Sequence, residues 1–501
     1  MEEESEISPI SDFNGEEEVD RLSNLPESLI HHILSFIDMK YSVQTSVLSK
    51  RWRYMWTPLR ILSMNYDYSK HRKLHNDVDD YMYFVERVLM IRDNTCDIQK
   101  FHLICHEDVE EFTEINFPLE TWMLGVVRRK IQDLLLDLPL PHNSRLPPCI
   151  FTCKSLTKLV LYCDSYKQTM VTLPKSFDLP NLKSLKLKWV SIYDTDLTNK
   201  FLSSCPVLES LAITRSFVNL TDIRAPNLKY LTLKHNECHG IGGRKVRFYA
   251  PLLTSFICES DMTHKLDYAL ENISSLVTCD ITMAVDWTDK EEEPGAYPKF
   301  TAEDKVQYAQ NMMKLLKAVR SVKDLMLSRW LIKVMSDVPE LLDCHTFEYS
   351  NLRGLTLRPY LTKECFRTIT YILKISPNIE ILCVVINESF DDDDGLPKYP
   401  LCDEINDDSP DTSDDWETGL SLPCFLYNLK VVRIHNVKGR INELKFLEVL
   451  LKNAMVLENL ILYWDWDQDP GNRAVTRRMK KFTEKLIEFP RASPYVTFMC
   501  F

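Results

Sequence analysis

Apolar residues recur along most of this 501-residue chain in one short unit, apolar-x-x-apolar-x-apolar. It begins at Ile98, Ile131, Leu156, Leu182, Leu208, Leu228 and Leu253, and again at Leu276, Val322, Leu352, Ile379, Leu429 and Leu457. Within a unit the fourth and sixth positions alternate with the period of a strand, so both apolar side chains fall on one face. Successive starts lie 20 to 33 residues apart, except for gaps of 46 and 50 that hold insertions or a missed unit. A strand repeated at that interval cannot cover its own apolar face. Stacked neighbours cover it, giving one parallel sheet over one continuous core.

The fold class expected is α/β: a small N-terminal three-helix module followed by an irregular leucine-rich-repeat solenoid with a parallel sheet. The asparagine such repeats place just beyond the strand stands at Asn236 and Asn387, while Val190, Ser216 and Val437 occupy equivalent places. Side-chain ladders there should be weak.

Ahead of the first unit the period changes from two to nearly four. Leu25, Leu29, Ile33 and Phe36 mark one helical face, and Ile30, Leu34 and Ile37 the next. Asn24 and Glu27 have capping-box spacing, with Pro26 in the first turn. A second helix is expected over 42–49. A third, over 50–56, would set Trp52, Met55 and Trp56 opposite Lys50, Arg51 and Arg53. A helix apolar on two faces needs cover on both, and three short helices supply too little. Either a partner covers the second face or the module caps the solenoid; these residues alone leave both open.

The net charge of −13 is uneven. Residues 1–20 carry nine acids and no base, and 388–417 carry 13 acids and one base, so the remainder is +8. Both acidic stretches have the composition of disordered segments. No apolar run approaches membrane length, and the acidic start is unlike a secretory signal, so cytoplasm or nucleus is the expected compartment. Fifteen cysteines without a CxxC pair agree with buried thiols in a reducing compartment.

The stretch DRLSNLPESLIHHILSFIDMKYSVQTSVLSKRWRYMW resembles the plant F-box. The matching residues are Asp20-Arg21, Leu25-Pro26, Ile33-Leu34-Ser35-Phe36, Val43, Thr45 to Arg53 and Trp56. The resemblance implies docking of a Skp-type adaptor, and through it a cullin, by Leu25, Pro26, Leu29, Ile33, Leu34, Val47, Leu48 and Trp52. Between the first two helices the family pattern has a proline and a helix-starting acid. Here stands Ile37-Asp38-Met39-Lys40-Tyr41, with Asp38 as the candidate cap, and the departure bears on adaptor affinity.

Phe201–Ile213 and the RAPNLKYLTL that follows soon after are similar to the leucine-rich repeats of that family. The segment from LPCFLYNLKVVRI to FPRASPYVTF resembles its FBD region, read as two more strand units around a helix over 443–453. The organisation expected is therefore an acidic tail at 1–19, an F-box at 20–66 and the solenoid at 95–387. An acidic insertion follows at 388–417, and an FBD region completing the solenoid at 418–501.

No catalytic constellation stands out. Asp465, Asp467 and Asp469 imitate the start of a calcium loop, but Pro470 and Thr476 occupy its glycine and glutamate positions. GIGGRK at 240–245 lacks the end of a phosphate loop. No metal, cofactor, membrane or nucleic-acid partner is expected. Residues between the inward leucines point to the open face of the sheet: Lys158, Tyr162, Lys186, Lys188, Tyr230, Lys234, Arg358, Arg433, His435 and Tyr463. Such a basic, aromatic face hints at an acidic protein substrate.

The leading reading is a non-catalytic, substrate-recognition adaptor of an SCF-type (Skp–cullin–F-box) ubiquitin ligase. The alternatives are a repeat scaffold without ligase coupling and a small-molecule co-receptor.

Overall fold

The computed structural model describes residues 24–67, 77–106, 116–141, 143–163, 171–236, 245–261, 267–284, 301–344, 347–359, 361–386, 426–465 and 473–501. The acidic tail, the 388–417 segment and most of GIGGRK lie outside the described residues, as do Asn387, Asp467 and Asp469.

All thirteen repeat units are strands. They are β2 (Lys100–His106), β3 (Asp133–Asp137), β4 (Lys158–Tyr162), β5 (Ser184–Lys188), β6 (Ser210–Val218), β7 (Tyr230–Asn236) and β8 (Ser255–Asp261). They continue as β9 (Thr278–Ala284), β10 (Asp324–Leu327), β11 (Gly354–Leu357), β12 (Ile381–Val385), β13 (Val431–Val437) and β14 (Asn459–Trp464). Two strands outside the repeat pattern extend the series, β1 (Ile61–Asp67) before it and β15 (Thr497–Cys500) after it.

These strands pair in sequence order, all parallel, and the two-residue strand Ser191–Ile192 pairs with β6 at the side. The register stacks like on like: Leu159, Leu185, Leu211 and Leu231 are partners, as are Leu161, Leu187, Ile213 and Leu233. Each of these eight side chains is at most 3% exposed. At about 1.5–3 kcal/mol per fully buried aliphatic side chain, these stacked rows are a principal source of stability.

Helices line much of the other side. α3 (Ala302–Ala318), α4 (Arg329–Ser336) and α5 (Lys363–Lys374) bury Met312, Leu316, Leu331, Met335 and Ile369 in the core shared with the sheet. The gap of 46 contains α3, capped by Thr301 Oγ1, which accepts the Asp304 N–H at 3.1 Å, and β9 pairs directly with β10 across it, so this gap is an insertion and not a missed unit. A three-stranded parallel sheet, Asp222–Arg224, Lys245–Tyr249 and Asp267–Glu271, backs the middle repeats instead.

The ladder joining repeats differs from the expected one. Asn181, Asn227, Asn378 and Asn428 each precede a strand, and each donates its side-chain N–H to a carbonyl one repeat earlier, at Lys154, Pro206, Ser350 and Pro377. Two serines also bridge repeats, Ser216 within β6 and Ser328 directly after β10. Ser216 Oγ accepts the Val190 N–H at 3.2 Å and Ser328 Oγ accepts that of Met283 at 2.8 Å.

The N-terminal module departs from three regular helices. α1 spans Glu27–Leu34 with Pro26 at its N-cap, and no side chain caps it, so Asn24 and Glu27 form no capping box. The second helix, expected over 42–49, is α2 at Met39–Gln44 followed by a 3-10 turn at Thr45–Val47, and the third, expected over 50–56, is reduced to one 3-10 turn, Trp52–Tyr54. Ile30, Leu34, Met39, Trp52, Trp56 and Leu59 are buried and continue the core into Leu62 and Met64 of β1.

Candidate functional site

Two surfaces emerge, one on the N-terminal module and one on the open face of the sheet. On α1 the two predicted apolar faces have different fates. Ile30 and Leu34 are buried, whereas Leu29 is 48% exposed, Ile33 45% and Phe36, just beyond the helix, 76%. Val47 is 87% exposed, Leu48 57% and Tyr41 59%. Of the 25 large hydrophobic residues exposed among the described residues, eight lie between Leu29 and Tyr54. Such concentration exceeds the scatter of an ordinary surface.

Leu34 and Trp52 require correction as docking residues. They are 1% and 4% exposed because they face the module's own core and cannot contact a partner directly. Leu25 is half-buried, its carbonyl accepting a hydrogen bond from Arg51 Nη2 at 2.6 Å, and Pro26 is exposed.

The segment Ile37–Tyr41 joins the module to the sheet. One carboxylate oxygen of Asp38 accepts the Lys40 N–H at 2.8 Å and caps α2. The other accepts the Asn65 N–H of β1 at 2.8 Å. Burial raises the Asp38 carboxyl above its ordinary value, opposed by these two hydrogen bonds. Further links run from Gln99 and Lys100 N–H to the Arg60 carbonyl, and from Arg92 Nη2 to that of Leu59. The module is thus packed onto the first repeats rather than tethered to them.

The ten open-face candidates do not form one basic surface. Lys158 Nζ lies 3.1 Å from Asp133 Oδ2, and His102 Nε2 stands 3.5 Å from the other oxygen. Lys234 is paired with Glu259 at 3.0 Å. Lys188 sits 5.4 Å from the centre of the Tyr162 ring, and Lys186 and Tyr230 are exposed. Arg358 acts on Asp280, whose carboxyl burial raises. In-register strands bring Asp133, Asp137, Glu259 and Asp280 onto the same face, so its charge is mixed. Neighbouring acids cancel lysines that looked free in the sequence.

Arg433, His435 and Tyr463 stand together at the C-terminal end. The rings of His435 and Tyr463 stack at 4.4 Å and 7°, and Tyr463 stacks on Phe501 at 5.5 Å and 21°. Phe501, 59% exposed, was missed because it follows β15, a strand outside the repeat pattern. Among the described residues no cluster of His, Cys, Asp or Glu is arranged to hold a metal ion. Cys149 and Cys153 are free thiols, and no described helix is long and apolar enough to cross a membrane.

Fold and surfaces define a leucine-rich-repeat protein with a helical module, bearing an exposed apolar face, packed onto its first repeats. Comparison with known proteins adds domain matches and similar proteins. An F-box domain model matches residues 22–63, one for the LRR repeats of FBD-associated F-box protein At5g56370 matches 119–283, and an FBD model matches 421–462. The chain is similar to F-box/FBD/LRR-repeat protein At1g78750 of Arabidopsis thaliana, 28% identical over 90% of this chain and 91% of that one. It is also similar to putative F-box/FBD/LRR-repeat protein At1g66290 of Arabidopsis thaliana, 26% identical over 97% and 95%. The chain therefore carries an F-box, leucine-rich repeats and an FBD region in that order, and its relatives are plant F-box/FBD/LRR-repeat proteins.

Proposed function

We propose that this chain is the substrate-recognition subunit of an SCF-type ubiquitin ligase. Its F-box docks a Skp-type adaptor through Leu25, Pro26, Leu29, Ile33, Val47 and Leu48, and its open repeat face holds a protein substrate. The observation that carries this reading is the exposed apolar face of α1 and of the turn after α2, within residues matched as an F-box. Leu34 and Trp52 serve it from beneath, as the core that holds α1 in place.

In this reading the chain performs no bond chemistry. It raises the effective concentration of a substrate lysine near a charged ubiquitin-carrier enzyme, and other subunits do the transfer. The packing of the module on β1 suits that task, since a fixed angle between the two surfaces fixes where the substrate is held. The compartment proposed is cytoplasm, nucleus or both.

The test is co-purification with a Skp-type adaptor and a cullin, comparing wild type with Leu29→Asp/Val47→Asp. Association of the wild type only, with both proteins folded, is expected. Proteins that accumulate on the variant in proximity labelling are then substrate candidates. If the wild type associates with no adaptor, the chain is a repeat scaffold without ligase coupling.

A further inference from the structure

Ion pairs cancel Lys158 and Lys234 on the open face and Arg358 faces Asp280, whereas the C-terminal end of that face keeps an arginine without an acidic partner among the described residues. Arg433 is exposed and, among the described residues, forms no ion pair. It lies in register between Cys383 of β12 and Ile461 of β14. Arg358 follows directly on Leu357, the register partner of Val384. Its Nε is buried without a hydrogen-bond partner. Burial raises the Cys383 thiol while Arg433 and Arg358 pull it partly back, so both guanidinium groups act over the same thiol.

From a strand spacing of about 4.8 Å and a rise of about 3.3 Å per residue, the two arginines stand roughly 12 Å apart at their backbones. Beside Arg433 runs the stack of His435, Tyr463 and Phe501. Burial and then Arg433 hold His435 below its ordinary value of 6.5, which leaves a neutral, flat ring at pH above that value. Two separated guanidinium groups beside a ladder of flat rings make a surface of definite chemistry.

We propose that this end of the open face, built on Arg358, Arg433, His435, Tyr463 and Phe501, binds an extended acidic segment of a partner protein. That segment would carry two carboxylates four residues apart, which share one face of an extended chain, and an aromatic side chain on the same face between or beside them. The proposal rests on reading the repeats as the substrate-holding part, and it names the class of segment they hold.

Charge complementarity chooses this occupant. An extended peptide rises about 3.3 Å per residue with alternate side chains on one face, so carboxylates four residues apart share a face and span the two arginines. Its aromatic side chain continues the ring stack. A nucleic acid fits less well. Its phosphates recur along the whole strand, and a path along the face would carry them past Asp280 and Glu259, which repel them.

The test is fluorescence anisotropy with the full chain and a fluorescein-labelled peptide repeating Glu-Ser-Tyr-Ser, which sets Glu and Tyr on one face of an extended chain, with Gln in place of Glu as the control. The wild type is expected to bind the Glu peptide at low salt and to lose it as salt rises. Arg358→Glu/Arg433→Glu should weaken binding at least about tenfold, the scale of charge-assisted hydrogen bonds lost. Tyr463→Ala should weaken it at every salt concentration. Lys374→Glu, an exposed cation in the last turn of the Lys363–Lys374 helix and off the open face, should change it little. Should the double variant melt early, Arg433→Gln at its exposed position gives the same reading.

An equal loss in Lys374→Glu, equal binding of the Gln peptide or no binding by the wild type would each overturn the proposal. So would displacement of the peptide by a single-stranded oligonucleotide at equal charge concentration. Adaptor association is measured in parallel. Its failure with peptide binding intact would remove the ligase reading and leave the patch standing; the converse would remove only the patch.

Discussion

Asp38→Ala removes two hydrogen-bond acceptors from one point, the junction of the F-box with β1. Loss of the cap on α2 costs about 1 kcal/mol. Loss of the carboxylate bond to the Asn65 N–H costs about 1.5–3 kcal/mol. Removing a carboxyl that burial disfavours returns part of this, so the net expected is about 2 kcal/mol, local to the junction. A repeat array can open in parts, so local exchange is a better measure than one global unfolding curve. Hydrogen exchange at the Lys40 and Asn65 amides should accelerate by up to roughly 30-fold, the factor that 2 kcal/mol represents. Exchange in β13 and β14 should not change. Asp38→Asn keeps one carbonyl oxygen, so it should protect one of the two amides. If Asn65 exchanges at the wild-type rate in Asp38→Ala, the carboxylate does not join the F-box to the sheet.

Other outcomes follow from the same reasoning. Glu443 is 3% exposed, and its carboxylate accepts the N–H groups of Lys438, Gly439 and Arg440 at 2.8–3.2 Å. Glu443→Ala should cost about 3 kcal/mol or more by stranding three amides, seen as a lower melting temperature; a melting curve unchanged from wild type would refute this. At Asp133 burial works to raise the carboxyl, but His102 and Lys158 outweigh it and hold it below 3.8. A depressed carboxyl gives stability that is present above its unfolded value and is lost as pH falls through the lower folded one. Asp133→Asn should therefore be less stable than wild type at neutral pH, with the difference closing below about pH 4. A difference that persists at lower pH would remove the role assigned to its ionisation.

Much of the fold was legible because a parallel strand in a stack has a simple signature. The unit starting at Leu182 shows it: Leu185 and Leu187 point inward, and Lys186 between them points out. β1 was illegible because ILSMNYD lacks the spaced leucines, and it is a strand because Leu62 and Met64 stack on Phe101 and Leu103 of β2. The Asn181–Lys154 bond had a visible signal, the Pro-Asn-Leu sequence before the strand, that was passed over for positions beyond it.

The docking face was half legible. Helical spacing found both apolar faces of α1, but only packing could show that Leu34 faces inward and Leu29 outward. The open face was least legible. The cancellation of Lys158 by Asp133 and of Lys234 by Glu259 depends on cross-strand register, which no single unit records. The chemistry of that face therefore collects at Arg433 and the ring stack rather than along all ten candidates.

The central claim is that the exposed apolar face of the F-box is a binding surface. Calorimetric titration of a Skp-type adaptor into the intact chain, at several temperatures, tests it most directly. Burial of apolar surface gives a negative heat-capacity change on binding. Leu29 and Val47, 48% and 87% exposed, have about 1 and 2 kcal/mol left to gain from complete burial. Leu29→Asp/Val47→Asp should therefore raise Kd by roughly 100-fold or more, since every 1.4 kcal/mol is about tenfold. Wild-type binding with a clearly negative heat-capacity change, abolished in the variant, is the result expected. Equal affinity of the two proteins, or a heat-capacity change near zero, would contradict the account.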